Sequence, residues 1–491
     1  MNPLKKLFKQ TFVYGLATVL PRMLSFILVP LYTSVMAPNL YAEVSIVFTW
    51  FAIFNVVLAY GMETAFFRFY NNAKDKETVI STSLISLLLT TTVFTFLAII
   101  FSNPLAHILE IDKNYFDYVI AILALDTLVV IPFAWLRANE KPMRYAVIKI
   151  LNVAINLGLN VFFLVLLPKL VDGNSEGLLS GLYKSNFQIS YIFISNVIAS
   201  GITFLLMFQL YRKTKWILDT SLWKKMMKYA MPVMVAGIAF SVNEVFDRFL
   251  LIKLLPEDVA KAKVGMYSAC YKIALFMTLF ATAFRMGIEP FFFSHSTSEN
   301  PQKAYAQITN YFVILGSIIL LSVVVYADVL KNIIVRDPAY WEAMPVVPII
   351  VLASFFLGIY HNLSVWYKVT DHTKFGAYIS IIGAILTIII NVVFIKYFEY
   401  MASAVATLIA YGTMMFLSFY FGRKYYPIPY NYRKIGFYLV LSISFSAIAF
   451  YGFNRNLIIG NILLAIFLVL LYKLENDNLR KVFLENGNKN N

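Results

Sequence analysis

Long apolar segments recur along the whole chain, and they constrain its fold more than any other feature. Each is close to the ~20 residues that an α-helix needs to cross the hydrocarbon core of a bilayer. The segments predict about fourteen spans, at residues 11–36, 43–65, 79–101, 115–137, 145–167, 187–211, 229–255, 264–287, 305–327, 344–367, 374–395, 400–421, 434–453 and 456–474. Because 60% of the 491 residues are hydrophobic and only 14% are charged, we predict an all-α polytopic membrane protein.

The distribution of Lys and Arg predicts the orientation of these spans. Basic residues concentrate in cytoplasmic segments of membrane proteins. The basic segment 212–228 and most other Lys and Arg outside the spans fall on one side if the N-terminus is cytoplasmic. We therefore expect both termini in the cytoplasm. The net charge of +15 is interpreted as anchoring charge, and no nucleic-acid partner is expected.

Cysteine and histidine usage gives no indication of a metal or an organic cofactor. Cys270 is the single cysteine, which excludes a disulfide framework within the chain, and the four histidines show no metal-ligand spacing. We expect no cofactor, and coupling to Na⁺ or H⁺ is left open.

Two intramembrane arginines reveal an internal repeat. Arg22 lies inside the first apolar segment, where a charge costs at least ~2.5–3.5 kcal/mol on insertion scales and needs a partner, water or a function. Arg248 follows 226 residues later, and Pro30 and Pro256 are separated by the same interval. The motifs Gly61-Met62-Glu63 and Gly287-Ile288-Glu289 also keep this interval.

The repeat predicts the domain organisation. Residues 1–211 are predicted to form an N-terminal lobe of six helices, 212–228 a basic cytoplasmic linker, and 229–422 a C-terminal lobe of six helices. Residues 423–491 are predicted to hold two extra helices and a cytoplasmic tail. Since six is even, the repeats are parallel, and two such lobes enclose a central cavity and work by alternating access. The pattern therefore indicates transport.

Arg22 and Arg248 are the first candidates for substrate binding in that cavity. Arg22 has no acid on its own helix, and Asp126 in the fourth helix is a candidate partner that would hold the lobe together. Glu244 and Asp247 precede Arg248, so an internal Glu244–Arg248 pair is the competing interpretation there. The three acids are candidate charge-pair or ion-coupling residues.

Further polar residues lie on the fifth and eighth helices. Asn152 and Asn156 belong to a polar stripe, which serves either as glue between helices or as a cavity wall that hydrogen-bonds to sugar hydroxyls. Lys272 adds positive charge to the second lobe or extends its ammonium group outward.

A symmetric layer of charges is predicted at the cytoplasmic ends of the helices. Its members form either a cytoplasmic gate or a packing motif: Glu63, Arg68, Glu289 and Arg285. The predicted cavity holds more fixed positive than negative charge, and the planar fork of arginine suits phosphate oxygens. The charge balance therefore favours an anionic, phosphate-bearing cargo.

Several motifs resemble those of the polysaccharide flippases in the multidrug/oligosaccharidyl-lipid/polysaccharide exporter superfamily. They cover most of the chain: Arg22-x-x-Ser25-Phe26, Pro30-Leu31-Tyr32-Thr33, Gly61 to Arg68, Asp247-Arg248-Phe249, Val264 to Ser268, Ala283-Phe284-Arg285 and Glu289-Pro290-Phe291. The resemblance implies a multi-pass protein of the bacterial cytoplasmic (inner) membrane. Its expected cargo is an oligosaccharide linked to undecaprenyl diphosphate, bound by cations such as Arg22 and Arg248. Other polysaccharide biosynthesis proteins are implied as partners.

Two other function classes remain open from the sequence. A cation-coupled antiporter for drugs or metabolites would share this fold and use Asp126, Glu244 and Asp247 for coupling. A membrane enzyme such as a polymerase or a glycosyltransferase is disfavoured, because the predicted outer loops are short and no acid/base constellation or nucleotide-binding loop is present.

Overall fold

The computed structural model describes residues 26–172, 180–294, 300–370 and 372–487, and within these ranges the chain is helical without a β-strand. Eleven helices are long and apolar enough to cross a membrane, and a pair bent by 57° makes twelve. The longest, Lys374–Tyr425, is interrupted by a non-helical residue at Glu399 and supplies two spans. The helix Phe26–Val35 is the end of the first predicted span. The predicted all-α polytopic fold is confirmed.

The spans are labelled α1 to α14 in chain order, and each corresponds to one predicted segment. They are α1 (Phe26–Val35), α2 (Pro38–Asn72), α3 (Lys76–Ile100), α4 (Lys113–Ala138), α5 (Pro142–Val171), α6 (Gln188–Lys213), α7 (Thr220–Val245 and Asp247–Leu254), α8 (Glu257–Met286), α9 (Pro301–Val325), α10 (Pro338–Val369), α11 (374–398), α12 (400–425), α13 (Tyr432–Gly452) and α14 (Leu457–Asn476). Short helices at Ser102–Ile108 and Ala327–Ile334 lie between spans.

Helix packing forms two groups that meet along α2. Helices α4, α5 and α6 pack together in the first half of the chain, and α7, α8, α10, α11 and α12 pack together in the second. The first part of α2, Pro38–Ala59, packs against α8 and α7, and its later part, Met62–Asn72, packs against α7. One helix of the first half therefore carries contacts to two helices of the second.

Two glycines permit this close approach. A Cβ at Gly265 of α8 would lie 1.9 Å from the carbonyl oxygen of Pro38, so only glycine fits against the start of α2. Gly61 interrupts α2 with a φ of +72°, and a Cβ there would lie 2.5 Å from the carbonyl oxygen of Ala230 in α7. Glycine adopts this left-handed conformation without a steric penalty. Both interfaces between the halves thus depend on a missing side chain.

The repeat is visible in a pair of buried asparagines. Asn160 in α5 and Asn391 in α11 each donate to the carbonyl oxygen four residues earlier, at 2.8 and 2.7 Å. Each also accepts a hydrogen bond through its side-chain oxygen, from Tyr32 at 3.0 Å and from Ser403 at 2.6 Å. The two sites are therefore built alike in the two halves.

Helices α13 and α14 pack on the outside of the second half, against α9. The Tyr326 hydroxyl after α9 donates to Asn461 Oδ1 of α14 at 2.6 Å. A Cβ at Gly460 would lie 2.7 Å from a methyl carbon of Val325, so α14 approaches α9 closely. This pair of helices adds to the second half without entering the interface between the halves.

Candidate functional site

A cavity of about 350 Å³ lies between the two halves of the protein. Its walls come from α1, α2, α5 and α6 on one side and from α7 and α8 on the other. Four of the five residues predicted to bind substrate are among its lining residues: Asn152, Asn156, Arg248 and Lys272. The fifth, Arg22, lies outside the described residues. We refer to this space as the central cavity.

Arg248 reaches the cavity because α7 bends immediately before it. The helix breaks at Phe246, and Asp247 begins the second segment. The Asp247 carboxylate accepts the Arg248 backbone N–H at 2.8 Å and the guanidinium Nη1 at 2.9 Å. A carboxylate is favourable at a helix N-terminus, where backbone N–H groups are unpaired. The bend and the ion pair therefore hold the guanidinium in place.

The predicted Glu244–Arg248 ion pair is replaced by this Asp247–Arg248 pair. With Glu244, Arg248 Nη1 forms a hydrogen bond to the backbone carbonyl oxygen, at 3.2 Å, and not an ion pair with the carboxylate. The helical spacing that predicted the pair does not continue through the break at Phe246. Asp247 is held further by the Tyr267 hydroxyl, which donates to it at 2.5 Å, and the guanidinium lies 4.5 Å from the Tyr271 ring centroid.

Lys272 lines the same cavity from α8. It begins a turn of 3₁₀-helix, Lys272–Ala274, and forms no ion pair within the described part of the chain. Ser268 stands one turn earlier, and its buried hydroxyl has no hydrogen-bond partner among the described residues. An ammonium group and an unsatisfied hydroxyl on one wall are donors for an anionic or hydroxyl-bearing ligand.

The asparagines of α5 combine the two roles considered from sequence. Asn152 donates to the Thr203 hydroxyl at 3.0 Å, and Asn156 donates to Asn196 Oδ1 at 2.8 Å. Both bonds join α5 to α6, and both asparagines also line the cavity. Asn196 was missed from sequence, because nothing in the isolated sixth segment indicates which side of the helix faces α5.

Asp126 does not line the central cavity. It accepts a hydrogen bond from the Ser200 hydroxyl of α6 at 2.7 Å. Lys149 of α5 places its ammonium group 4.1 Å from the Phe133 ring centroid. Since Arg22 is outside the described residues, the Arg22–Asp126 pair stays a prediction.

Among the predicted gate residues that the structure describes, Arg68 contacts the opposite half. Glu63 pairs with Arg137 of α4 at 2.8 Å, within the first half. Arg285 lies 3.5 Å from His361 Nε2 of α10, within the second half. Arg68 places its guanidinium 4.3 Å from the Tyr229 ring centroid of α7, across the interface. The side chain of Glu289 lies outside the described residues.

Ion pairs that were not predicted join the halves at the opposite end of the central cavity. Glu43 of α2 pairs with Lys261 of α8 at 2.8 Å, and Glu110 before α4 pairs with Lys253 of α7. The partners are separated by 218 and 143 positions, so no local pattern reveals them. We call these two pairs the interlobe clasp. The central cavity therefore lies between the clasp and the Arg68–Tyr229 contact.

The charge of the cavity wall is positive. Lys272 and Arg248, the latter paired with Asp247, line it, and no carboxylate is among the lining residues that the structure describes. No group of three or more His, Cys, Asp or Glu side chains is placed to hold a metal within the part of the chain that the structure describes. The wall is therefore arranged for an anion with hydrogen-bonding groups.

Comparison with known protein families gives two matches. The family described as polysaccharide biosynthesis protein matches residues 7–294, and the family described as MatE matches residues 232–393. The sequence matches no curated protein.

Solved structures with the same fold are membrane transporters and flippases. The lipid II flippase MurJ in an inward closed conformation superposes with a TM-score of 0.73 at 14% identity, covering 94% of this chain and 99% of that one. An inward-facing multidrug resistance MATE family transporter gives a TM-score of 0.65 at 12% identity, covering 88% and 96%. A transporter from Pyrococcus furiosus, reported with a binding pocket of reverse polarity, gives 0.60 at 13%, covering 86% and 96%. These likenesses establish the fold of the superfamily.

Proposed function

Since the chain belongs to the polysaccharide biosynthesis protein family, within the superfamily of MATE transporters and MurJ, we propose that it moves a lipid-linked oligosaccharide across a membrane. The proposed cargo is an oligosaccharide linked to undecaprenyl diphosphate, and the proposed location is the bacterial cytoplasmic membrane with both termini in the cytoplasm. Transport, rather than bond formation, is the proposed activity.

The polarity of the central cavity is the observation that carries this proposal. A diphosphate brings several charge-assisted acceptor oxygens, and Arg248 and Lys272 supply cationic donors where the lining offers no carboxylate. Asn152 and Asn156 offer amide groups at the same wall for the hydroxyls of the adjoining sugars. Arg22 is proposed as a third cation on the diphosphate, by its place in the repeat.

The mechanism follows from the contacts on the two sides of the cavity. We propose that the cargo enters after the Arg68–Tyr229 contact opens, while the interlobe clasp stays closed. Binding of the anion then offsets the mutual repulsion of the cavity cations, which favours closure around it. Release requires that the clasp open on the other side. Coupling of this cycle to H⁺, to Na⁺ or to the cargo gradient alone is left open.

A cation-coupled antiporter is the second candidate, since MATE transporters share the fold. Its proposed coupling acids are Asp126, Glu244 and Asp247. Asp126 favours this candidate, because it is half-buried and its hydrogen bond in the described structure comes from a neutral serine. An intramembrane carboxylate of this kind is a proton or ion site in many transporters.

Deletion of the gene and analysis of lipid-linked intermediates distinguishes the two candidates. A flippase deletion is expected to accumulate undecaprenyl-linked repeat units and to lose surface polysaccharide. Normal surface polysaccharide together with new sensitivity to toxic compounds would replace the flippase proposal with the antiporter. The matched complementation uses the wild-type chain and the Lys272→Gln variant, and only the former is expected to restore the polysaccharide.

A further inference from the structure

A second pocket, of about 330 Å³, lies entirely within the first half of the protein. It is formed where α3 and α5 begin and α4 and α6 end, so it opens at one surface of the helix bundle. It shares no lining residue with the central cavity. This basic pocket has no part in the transport route proposed above.

Four cations line the basic pocket against a single carboxylate. Lys215 pairs with that carboxylate, Glu77, at 3.0 Å. The other three cations have no acidic partner within the described part of the chain: Lys141, Arg144 and Lys213. They are contributed by the start of α5 and the last turn of α6. The lining residues that the structure describes therefore carry more positive than negative charge.

Two of these cations are held in position by neutral groups. Arg144 donates through Nη2 to Gln209 Oε1 at 3.2 Å, which directs the guanidinium across the pocket from α5 to α6. The Lys141 ammonium group lies 4.4 Å from the Trp135 ring centroid. Neither contact removes the charge, so both groups remain able to pair with an anion.

The start of α5 adds a further attraction for an anion. Pro142 occupies the first turn, and no side chain caps the helix. The first backbone N–H groups of a helix have no partner within it, and together with the helix dipole they favour negative charge. Pro142 has no N–H group to contribute, and Lys141 and Arg144, which precede and follow this start of the helix, line the pocket.

The floor and rim of the basic pocket are apolar. Ile80, Leu136 and Met207 are buried side chains of its lining. Met143 and Val147 flank Arg144 on α5 and are 62% and 55% exposed, so they face the lipid side of the helix. A ligand that fits such a site has a phosphate group and an adjoining apolar part.

We propose that the basic pocket binds the phosphate group of an anionic membrane lipid, with the glycerol and the first acyl carbons over the apolar floor. Basic pockets between transmembrane helices at a membrane surface recognise such headgroups. The lipid is favoured over a soluble phosphate because the pocket opens beside lipid-facing side chains. The site would make the stability of the first half depend on membrane composition.

The test measures thermal unfolding of the purified full chain with added lipids of identical acyl chains. Phosphatidylglycerol is expected to raise the midpoint by several degrees more than phosphatidylcholine does. Arg144→Gln/Lys213→Gln is expected to lose at least half of this difference while unfolding normally in phosphatidylcholine. Lys224→Gln/Lys228→Gln is the control, since it removes equal charge from exposed positions on α7 outside the pocket and should keep the difference.

Three results would overturn the proposal. The first is a full phosphatidylglycerol effect in Arg144→Gln/Lys213→Gln, and the second is an equal effect of the two lipids on the wild-type chain. The third is an equal shift from inorganic phosphate at the same concentration, which would make this a site for soluble anions. If the double variant does not fold, native mass spectrometry of Lys213→Gln provides the test. This variant is expected to retain fewer phosphatidylglycerol molecules than the wild type.

Discussion

The Asp247–Arg248 pair beside the central cavity has both a structural and a proposed binding role. Arg248 is 7% exposed and Asp247 is 3% exposed. Removing one member of a buried pair leaves an uncompensated charge and costs about 3–5 kcal/mol. A single substitution of either residue would therefore lower stability and cargo binding together, so it would not separate the two roles.

We predict that Arg248→Gln lowers the thermal midpoint strongly, whereas Asp247→Asn/Arg248→Gln recovers most of it because no unpaired charge remains. The double variant should still fail to transport, since the cavity has lost a cation. The measurements are thermal unfolding and flipping of a lipid-linked oligosaccharide by reconstituted protein. Normal flipping by a stable double variant would remove Arg248 from the binding site.

Substitution of Lys272 tests the binding role separately from the structural role. It forms no ion pair in the described part of the chain, so Lys272→Gln is expected to keep the thermal midpoint within about 2 °C, as for a change that breaks no pairing. Cargo binding should fall at least tenfold, because a cation on the diphosphate is lost.

The control for Lys272 is Lys263→Gln. Lys263 pairs with Glu342 and Glu399, at 2.5 and 2.8 Å, and does not line the cavity. The Lys263→Gln variant is expected to have a lower thermal midpoint and to retain cargo binding. Loss of cargo binding in Lys263→Gln together with normal binding in Lys272→Gln would contradict the proposed site.

Sequence reasoning identified residue types in the cavity but not their partners. Arg248, Lys272, Asn152 and Asn156 were found because polar residues inside apolar segments are conspicuous. Lys261 was not among the predicted residues, since its partner Glu43 is far away in sequence. Pairing across 218 positions is a property of tertiary packing, and a local pattern does not contain it.

At the scale of the helices, the contact between α2 and α8 is set by a glycine. A Cβ at Gly265 would lie 1.9 Å from a backbone oxygen of Pro38, and the backbone has no flexible end to move away. Overpacking of this kind costs about 1–3 kcal/mol or more. The contact is therefore expected to be sensitive to a single methyl group.

We predict that Gly265→Ala lowers the thermal midpoint by several degrees and reduces the yield of monodisperse protein. Gly158→Ala on α5 is the control, because a Cβ there would meet nothing within 4 Å. Fluorescence-detected gel filtration after heating measures both variants. Equal midpoints for the two variants would show that α2 and α8 do not pack this closely.

Helix positions were predictable from sequence, whereas helix breaks were not. Span length follows from the thickness of the bilayer, so apolar runs of about 20 residues located all of the described spans. The break at Tyr60 continues into Gly61, a residue that permits the left-handed conformation, whereas the breaks at Phe246 and Glu399 fall at residues with no helix-breaking chemistry of their own. They depend on contacts with other helices, which the periodicity of one segment does not record.

At the scale of the whole molecule, the interlobe clasp joins the two halves at one end of the central cavity. Glu43–Lys261 and Glu110–Lys253 join α2 and the start of α4 to α8 and α7. Partly exposed ion pairs contribute about 0.2–1 kcal/mol each. Their loss is therefore expected to shift a conformational population without unfolding the protein.

We predict that Glu43→Lys makes the cavity more accessible from the clasp side. The readout is labelling of Ser45→Cys, a cavity-lining position, by a membrane-impermeant thiol reagent in a Cys270→Ala background. Labelling should rise at least about two- to fivefold, which corresponds to the loss of an ion pair worth roughly 0.4–1 kcal/mol, and repulsion between the two lysines adds to this increase. The double variant Glu43→Lys/Lys261→Glu restores an ion pair of reversed charge, so its labelling rate should return toward the starting rate.

Asp117→Lys is the matched control for this reversal. Asp117 pairs with Lys113 at 3.0 Å within α4, so the same change in charge does not touch the interface between the halves. Labelling should stay at the starting rate. An equal increase in this variant would attribute the effect to net charge rather than to the clasp.

The packing of α2 against both α8 and α7 has a consequence for how the membrane stays impermeable to ions. Its first part packs on α8 and α7, and its later part, beyond the left-handed Gly61, packs on α7, so one helix of the first half contributes to the seal at each end. A state open at both ends would require both glycine-lined contacts to separate at once. Under the proposed function, a cavity closed by at least one of these contacts would let a polar cargo cross without connecting the two sides of the membrane for protons or salt.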